Sequence, residues 1–241
     1  MRNSSTPDDT DAGLDAAVAQ ARRDDALAIR AEAKAAFHLR MRARGIQDLG
    51  VLRAFELVPR EFFVPHRYLD LATRDLPLPI DCGQTLLEPW LVARMIEALD
   101  VERGHRLLEI GAGTGYATAI LASLAQDVIG IERYQSLAIA AQARLTDLAI
   151  VNAVIVWGDG LAIPPDVAVF DRIIVHGLLG DTAPLLERLA LGGLLVCARP
   201  IGEGGTQHIV RIEKTGEETV VETTVCPCRL QPIVAGLAAA L

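Results

Sequence analysis

A junction between a strand and a helix constrains this chain more than any other feature. The short segment Arg106-Leu-Leu-Glu-Ile110 runs directly into Gly111-Ala-Gly113-Thr-Gly115, and an alanine-rich stretch of helical character follows over residues 115–125. Three glycines in five residues mark a backbone that turns tightly and approaches something without a Cβ in the way. In an open α/β sheet, the crevice beside such a turn is where nucleotide-like ligands bind.

The residues around the junction supply the sheet that it requires. From Trp90 onward, helix-type and strand-type segments alternate. Residues 90–99 read as a helix, 106–110 as a buried strand, 127–131 as a strand, 135–149 as an Ala-rich helix and 153–157 as a strand. Residues 171–175 read as a strand, 182–190 as a helix and 193–198 as a strand. Such alternation predicts an α/β fold, a doubly wound and mainly parallel sheet with helices on both faces. Strands that are apolar along their whole length agree with burial on both sides. Residues 207–213 and 219–225 turn to β-type sequence and predict a closing antiparallel hairpin.

Upstream the pattern differs. Residues 1–12 are polar and read as a disordered tail. Residues 13–44, rich in Ala, Arg, Asp and Glu, have high helix propensity and read as helices that pack on the domain or on a partner, a homo-oligomer included. Residues 48–58 predict an amphipathic helix that Pro59 stops. Residues 64–90 carry Pro65, Pro77, Pro79 and Pro89, which points to an ordered loop or lid. The expected organisation is a tail over 1–12, a helical extension and acceptor-side loop over 13–89, and a ligand-binding domain over 90–241, with one structural unit from about residue 37.

Net charge is −8 and the pI about 5.1, so no basic footprint for nucleic acid is present. No apolar run reaches the roughly 20 residues that span a bilayer, and the polar start has no apolar segment of the signal-peptide type; the expectation is a cytoplasmic protein without a membrane partner. Cys82, Cys197, Cys226 and Cys228 do not form a zinc-type spacing, since Cys226-Pro-Cys228 has one intervening residue and no second pair. They read as free thiols in a reducing compartment, and no metal site is expected.

The ligand is narrowed by spacing. The dinucleotide fingerprint G-x-G-x-x-G fits Gly111 and Gly113 and then fails, because its third position is Tyr116. The observed G-x-G-x-G, with Glu109 two residues before it, resembles the first motif of class I methyltransferases, which bind S-adenosyl-L-methionine. Strand 127–131 ends at Glu132, where an acid can accept hydrogen bonds from two ribose hydroxyls, with Arg133 beside it. Strand 153–157 ends in Gly158-Asp159-Gly160, similar to the motif that contacts the adenine amino group. Separately, Glu132 reads as a solvated strand-end acid and Asp159 as a turn residue; in order after successive strands they make a cofactor set of Glu109, Gly111, Gly113, Gly115, Glu132, Arg133, Asp159 and Gly160.

A narrower resemblance runs through the chain. Gly83-Gln-Thr-Leu-Leu-Glu-Pro89 resembles the G-Q-T-I-S-x-P motif of protein-L-isoaspartate O-methyltransferases. Arg44-Gly-Ile-Gln-Asp48, Val58-Pro-Arg-Glu-Phe-Phe-Val64 and Leu78-Pro-Ile80 are similar to that family's N-terminal part. Leu108–Tyr116, Gly158–Gly160, Phe170–Val175 and Gly192–Val196 follow in family order, and residues 229–237 are similar to its C-terminal strand. The resemblance spans roughly residues 37 to 237. It implies a Rossmann-like domain, S-adenosyl-L-methionine as cofactor, protein or peptide substrates with isoaspartyl residues, and repair by methylation of their carboxylates. Gln84, Thr85 and Leu87 fall on the acceptor side. Three stretches depart from the family pattern: Leu87 stands where the family has serine beside the transferred methyl, His176-Gly-Leu-Leu179 replaces a small T-A-A-P-like stretch, and residues 13–36 are an addition. Two other readings stay open on the residues, a methyltransferase with another acceptor and a non-catalytic module that binds the cofactor. His176 reads as an ordinary loop histidine or as a base for a hydroxyl or amine acceptor. Trp90 and Trp157 read as packing residues, and Tyr116 as a cofactor contact or a helix start.

Overall fold

A computed structural model describes residues 20, 21, 24, 25, 28, 31, 32, 35–164, 169–202 and 204–238. The boundary between its two compact units falls after Ala43. The described residues from 20 to 43 are helical, with Gln20 Nε2 donating to Asp24 Oδ1 at 2.9 Å one turn away. The expected tail over 1–12 lies outside the described residues.

The second unit, residues 44–241, is built on a seven-stranded sheet flanked by helices. Its strands are β3 (Arg106–Ile110), β4 (Asp127–Glu132), β5 (Ala153–Trp157), β6 (Phe170–Leu178), β7 (Leu189–Ile201), β8 (Thr206–Lys214) and β9 (Val220–Pro227). Spatial order is β5-β4-β3-β6-β7-β8-β9; the first five are parallel and the last two antiparallel. The chain leaves β3 toward β4 on one side and later returns to β6 on the other. The carboxyl end of β3 is therefore the point where the winding reverses, and a crevice opens there. β3 and β6 are buried almost throughout, as their apolar runs require.

The helices are α1 (Leu49–Leu57), α2 (Pro89–Leu99), α3 (Tyr116–Ala122), α4 (Gln135–Asp147) and α5 (Ala183–Leu186). Asp48 caps α1 by accepting from the Val51 N–H at 2.8 Å, and Pro59 follows its end. Two helices are shorter by three residues or more than their sequences predict. α3 stops at Ala122 because the Asn152 side-chain amide donates to the carbonyls of Ala122, Ala125 and Gln126 and holds that stretch as a turn. α5 stops at Leu186 because Leu189 is drawn into register with Phe170, with the Phe170 N–H on the Arg188 carbonyl at 2.8 Å. Strand pairing overrides helix propensity there.

Two further expectations are corrected. The strand foreseen at 171–175 extends to Leu178, so His176 stands within β6 and not after it. Residues 229–237 do not form a strand; their pairing is an isolated parallel bridge between Leu178 and Pro232, and proline has no N–H to continue a ladder. The Leu178 N–H donates to the Gln231 carbonyl at 2.8 Å and the Ile233 N–H returns to the Leu178 carbonyl at 2.9 Å. The segment thus lies as a strap across the end of β6.

The proline-rich stretch is ordered by a small antiparallel hairpin, β1 (Leu78–Pro79) with β2 (Thr85–Leu86). One buried side chain holds it. The Arg60 guanidinium donates to the carbonyls of Ala72, Arg74, Leu76 and Leu87 at 3.0–3.2 Å and lies over the Tyr116 ring. Replacing Arg60 by Met leaves these carbonyls without their donor. Loss of about 3 kcal/mol is expected, seen as a melting temperature lower by roughly 6–12 °C.

Candidate active site

The glycine loop after β3 adopts the conformation that its sequence demands. Gly111, Gly113 and Gly115 have φ of +81°, +57° and +85°, a region that other residues rarely enter. The loop is tied to the next strand, with Gly111 N–H and Ala112 N–H on the Ile131 carbonyl at 2.9 and 3.2 Å. Gly113 N–H donates to Glu132 Oε2 at 2.8 Å, and Tyr134 N–H to Glu132 Oε1 at 2.9 Å. Burial pushes the Glu132 carboxyl above its ordinary range, while the backbone N–H groups of Tyr134, Gly113 and Arg133 pull against the rise.

These groups line a cavity of about 330 Å³ at the carboxyl ends of the strands. Gly111, Gly113, Glu132, Arg133, Asp159 and Gly160 form one side, and Gln84, Thr85 and Leu87 of the hairpin region the other. Nine of the eleven residues expected from sequence therefore line one cavity. Glu109 and Gly115 do not. Glu109 is fully buried beneath the loop, accepting from Thr118 Oγ1 at 2.5 Å. Gly115 caps α3, where an added Cβ would stand 3.2 Å from Ala141 Cβ.

Asp159 is partly engaged by the chain itself. Its Oδ1 accepts from Leu161 N–H at 2.9 Å and its Oδ2 from Gly236 N–H at 2.6 Å. Arg133 turns toward the same strap, Nε donating to the Gly236 carbonyl at 3.1 Å. Leu230–Val234 thereby become part of the cavity wall, a contribution that sequence reasoning missed. Tyr116 begins α3 and is buried against Phe55 and Phe63. Trp157 is half exposed with its Nε1 on the Arg133 carbonyl, and Trp90 carries Arg44 over its ring at 4.1 Å. Among the described residues, no group of three or more His, Cys, Asp or Glu could hold a metal ion. No helix among them is long and apolar enough to cross a membrane.

Comparison with known proteins fits this geometry. The model of the protein-L-isoaspartate(D-aspartate) O-methyltransferase family matches residues 32–238. The chain belongs to the protein-L-isoaspartate O-methyltransferase family. The protein-L-isoaspartate O-methyltransferase of Rhodopseudomonas palustris strain BisB5 is 44% identical over 207 residues, covering 85% of this chain and 94% of that one. The Rhodospirillum rubrum enzyme of the same name is 41% identical over 202 residues, 83% of this chain and 91% of its own. Among solved structures, a Plasmodium falciparum beta-aspartate methyltransferase, determined with S-adenosyl-L-homocysteine, superposes with a TM-score of 0.69 at 23% identity, over 83% of this chain and 97% of that one. That likeness carries the fold, a Rossmann-like methyltransferase sheet with flanking helices.

The strap is held by close packing at one position. A Cβ at Gly177 would stand 2.5 Å from Ile233 Cδ1 and 3.0 Å from the Gln231 carbonyl oxygen. Gly177→Val is therefore expected to lift residues 230–234 from the cavity wall. Hydrogen exchange should show faster exchange at the Leu178 and Ile233 amides while the amides of β3 and β4 keep their protection.

Proposed function

We propose that the chain is an S-adenosyl-L-methionine-dependent O-methyltransferase that methylates the carboxylate of isoaspartyl residues in proteins and peptides. One observation carries the reading at the level of the site. A single cavity runs from acidic groups at the ends of β4 and β5, past the glycine loop, to the hairpin region at Gln84, Thr85 and Leu87.

The cavity fits the methyl donor. Each Glu132 oxygen takes one backbone N–H and keeps a further lone pair for a hydroxyl donor, so the carboxylate can hold two ribose hydroxyls. Asp159 has the same spare capacity for the adenine amino group, with Ile110 and Ile131 as apolar neighbours. Gly111 and Gly113 let the main chain come close to the amino-acid part. The bound donor supplies a methyl group already activated on a sulfonium.

The chain's residues then have a limited task. A carboxylate is ionised at neutral pH and attacks without a general base. What remains is to fix its direction and exclude water, and orientation of this kind can lower a barrier by several kcal/mol. Gln84 and Thr85 offer polar contacts to the acceptor, Leu87 gives an apolar wall, and the strap covers the cavity. The partner is a protein or peptide with damaged aspartyl residues; a net charge of −8 argues against nucleic acid. Four cysteines without a disulfide suit a reducing, cytoplasmic compartment.

The direct test is transfer of labelled methyl to an isoaspartyl peptide beside its normal aspartyl twin. Methylation of the first alone is expected, and equal or absent labelling of both would refute the reading. Glu132→Ala should weaken S-adenosyl-L-homocysteine by about 1.5–3 kcal/mol, roughly tenfold to a hundredfold by calorimetry, with the fold retained. The sign of its pH dependence follows from burial. Because the folded carboxyl sits above its ordinary value, its charge costs the fold stability at neutral pH, and that cost disappears as pH falls through the folded value. Cofactor affinity changes in the opposite sense, falling as the same group takes its proton. That acid-side fall should start above the usual carboxylate range and be absent in Glu132→Ala.

A further inference from the structure

Leu87 leaves the acceptor side without the hydroxyl that the family motif has there, and the same cavity is lined by a group that can replace it. His176 lies on β6 one residue past the last pairing of that strand with β3, Ile110 with Val175. Pairing with β7 is irregular here. Ile174 faces Val196 and Leu178 faces Ala198, so four steps on β6 match two on β7. The bulge releases His176 from the ladder and turns it into the crevice, a common use of bulges beside active sites.

The surroundings of the ring are specific. The main cavity and a smaller space of about 30 Å³ beneath the hairpin share Ile80, Thr85, Leu87, Gly111, Gly113 and His176. The imidazole thus borders the same space as Leu87, beside the glycine loop. On its inner side, Nε2 stands 2.9 Å from Glu109 Oε1, and the other Glu109 oxygen accepts from Thr118. Both side chains are at least nine-tenths buried, yet neither Nε2 nor Oε1 has an aligned hydrogen bond. The distance is that of an ion pair and the angle is not that of a directed bond. The contact therefore sets the ring against Glu109 and leaves its direction adjustable.

Resting on the isoaspartyl reading above, we infer that His176 is the group that receives the acceptor carboxylate, in place of a hydroxyl at position 87. Nε2 is the ring nitrogen that faces Glu109, so Nδ1 is the one left for the incoming carboxylate, in the space that the ring shares with Leu87. A hydrogen bond to a carboxylate is short and strong, so one from Nδ1–H can fix which carboxylate oxygen faces the methyl group. Leu87 then excludes water from the same space and contributes no polar contact.

The test compares wild type, His176→Leu, His176→Gln, Leu87→Ser and the double variant Leu87→Ser/His176→Leu. Isoaspartyl-peptide kinetics are measured beside calorimetry with S-adenosyl-L-homocysteine. His176→Leu is expected to lose roughly tenfold or more in kcat/KM, with cofactor affinity within about twofold of wild type. His176→Gln, which keeps one N–H donor, should lose less. Leu87→Ser should recover activity in the His176→Leu background, a gain that it does not give in wild type, because the two positions serve one contact. An active wild type with His176→Leu unchanged would overturn the inference and leave the isoaspartyl function standing. So would a loss that follows cofactor affinity, which would put His176 on the donor side. If His176→Leu does not fold, a full-activity His176→Gln that also lacks any coupling to Leu87→Ser decides against it. A wild type that binds cofactor and methylates no isoaspartyl peptide would remove both readings.

Discussion

The buried carboxylate of Glu132 is the interaction on which the ligand end of the sheet depends. It sits at the last residue of β4 and joins the glycine loop to the turn into α4. One oxygen holds the glycine loop through Gly113, and the other holds the turn into α4 through Tyr134. The carbonyl of the same residue takes the N–H of Gly158, at the end of β5. Three strand ends are thereby fixed around one residue. Taking a charge out of water is costly, and the upward push on this carboxyl reflects it. Backbone N–H groups at the start of α4 offset part of that cost, since the amino end of a helix favours negative charge. A neutral residue would be easier to bury and would leave the Gly113 and Tyr134 N–H groups without that acceptor.

Much of this arrangement was legible in the sequence, and the reason is locality. β3, β4 and β5 appear within a residue of their expected bounds because apolar periodicity and flanking turn residues set them. The loop of Gly111, Gly113 and Gly115 was readable because only glycine tolerates those φ values without strain. What could not be read was decided by contacts distant in sequence. The short α3 depends on Asn152, thirty residues from Ala122. The extra length of β6 depends on Gln231 and Ile233. Arg60 gave no signal beyond its place in Val58-Pro-Arg-Glu, since nothing local says that its guanidinium will collect carbonyls up to Leu87. Thr118 was hidden for the same reason, being one apolar-face position of a helix until Glu109 is placed beneath it. His176 was placed after a strand because the bulge that lengthens β6 leaves no mark in a pattern of alternating apolar residues.

The two sides of the cavity differ in how they are built, and this bears on how each can change. The side proposed for the donor consists of strand ends and main-chain hydrogen bonds between neighbours in the sheet. A substitution there disturbs backbone geometry that several strands share. The side proposed for the acceptor consists of separate pieces: a hairpin clamped by Arg60, a bulge in β6, and a strap anchored through Gly236 on Asp159 and Arg133. Each piece is positioned by its own few contacts, and its exposed side chains are free of the sheet's register. Leu87 illustrates the consequence. Its main-chain carbonyl is held by Arg60 whatever side chain it carries, so a hydroxyl can be exchanged for an isobutyl group without moving the hairpin. On the roles proposed above, polar contact with the acceptor can then pass to another residue of the same space while the strand ends stay as they were. The constraint that makes the glycine loop recognisable in sequence is thus absent around the hairpin and the strap, where side chains can change while the motif order is kept.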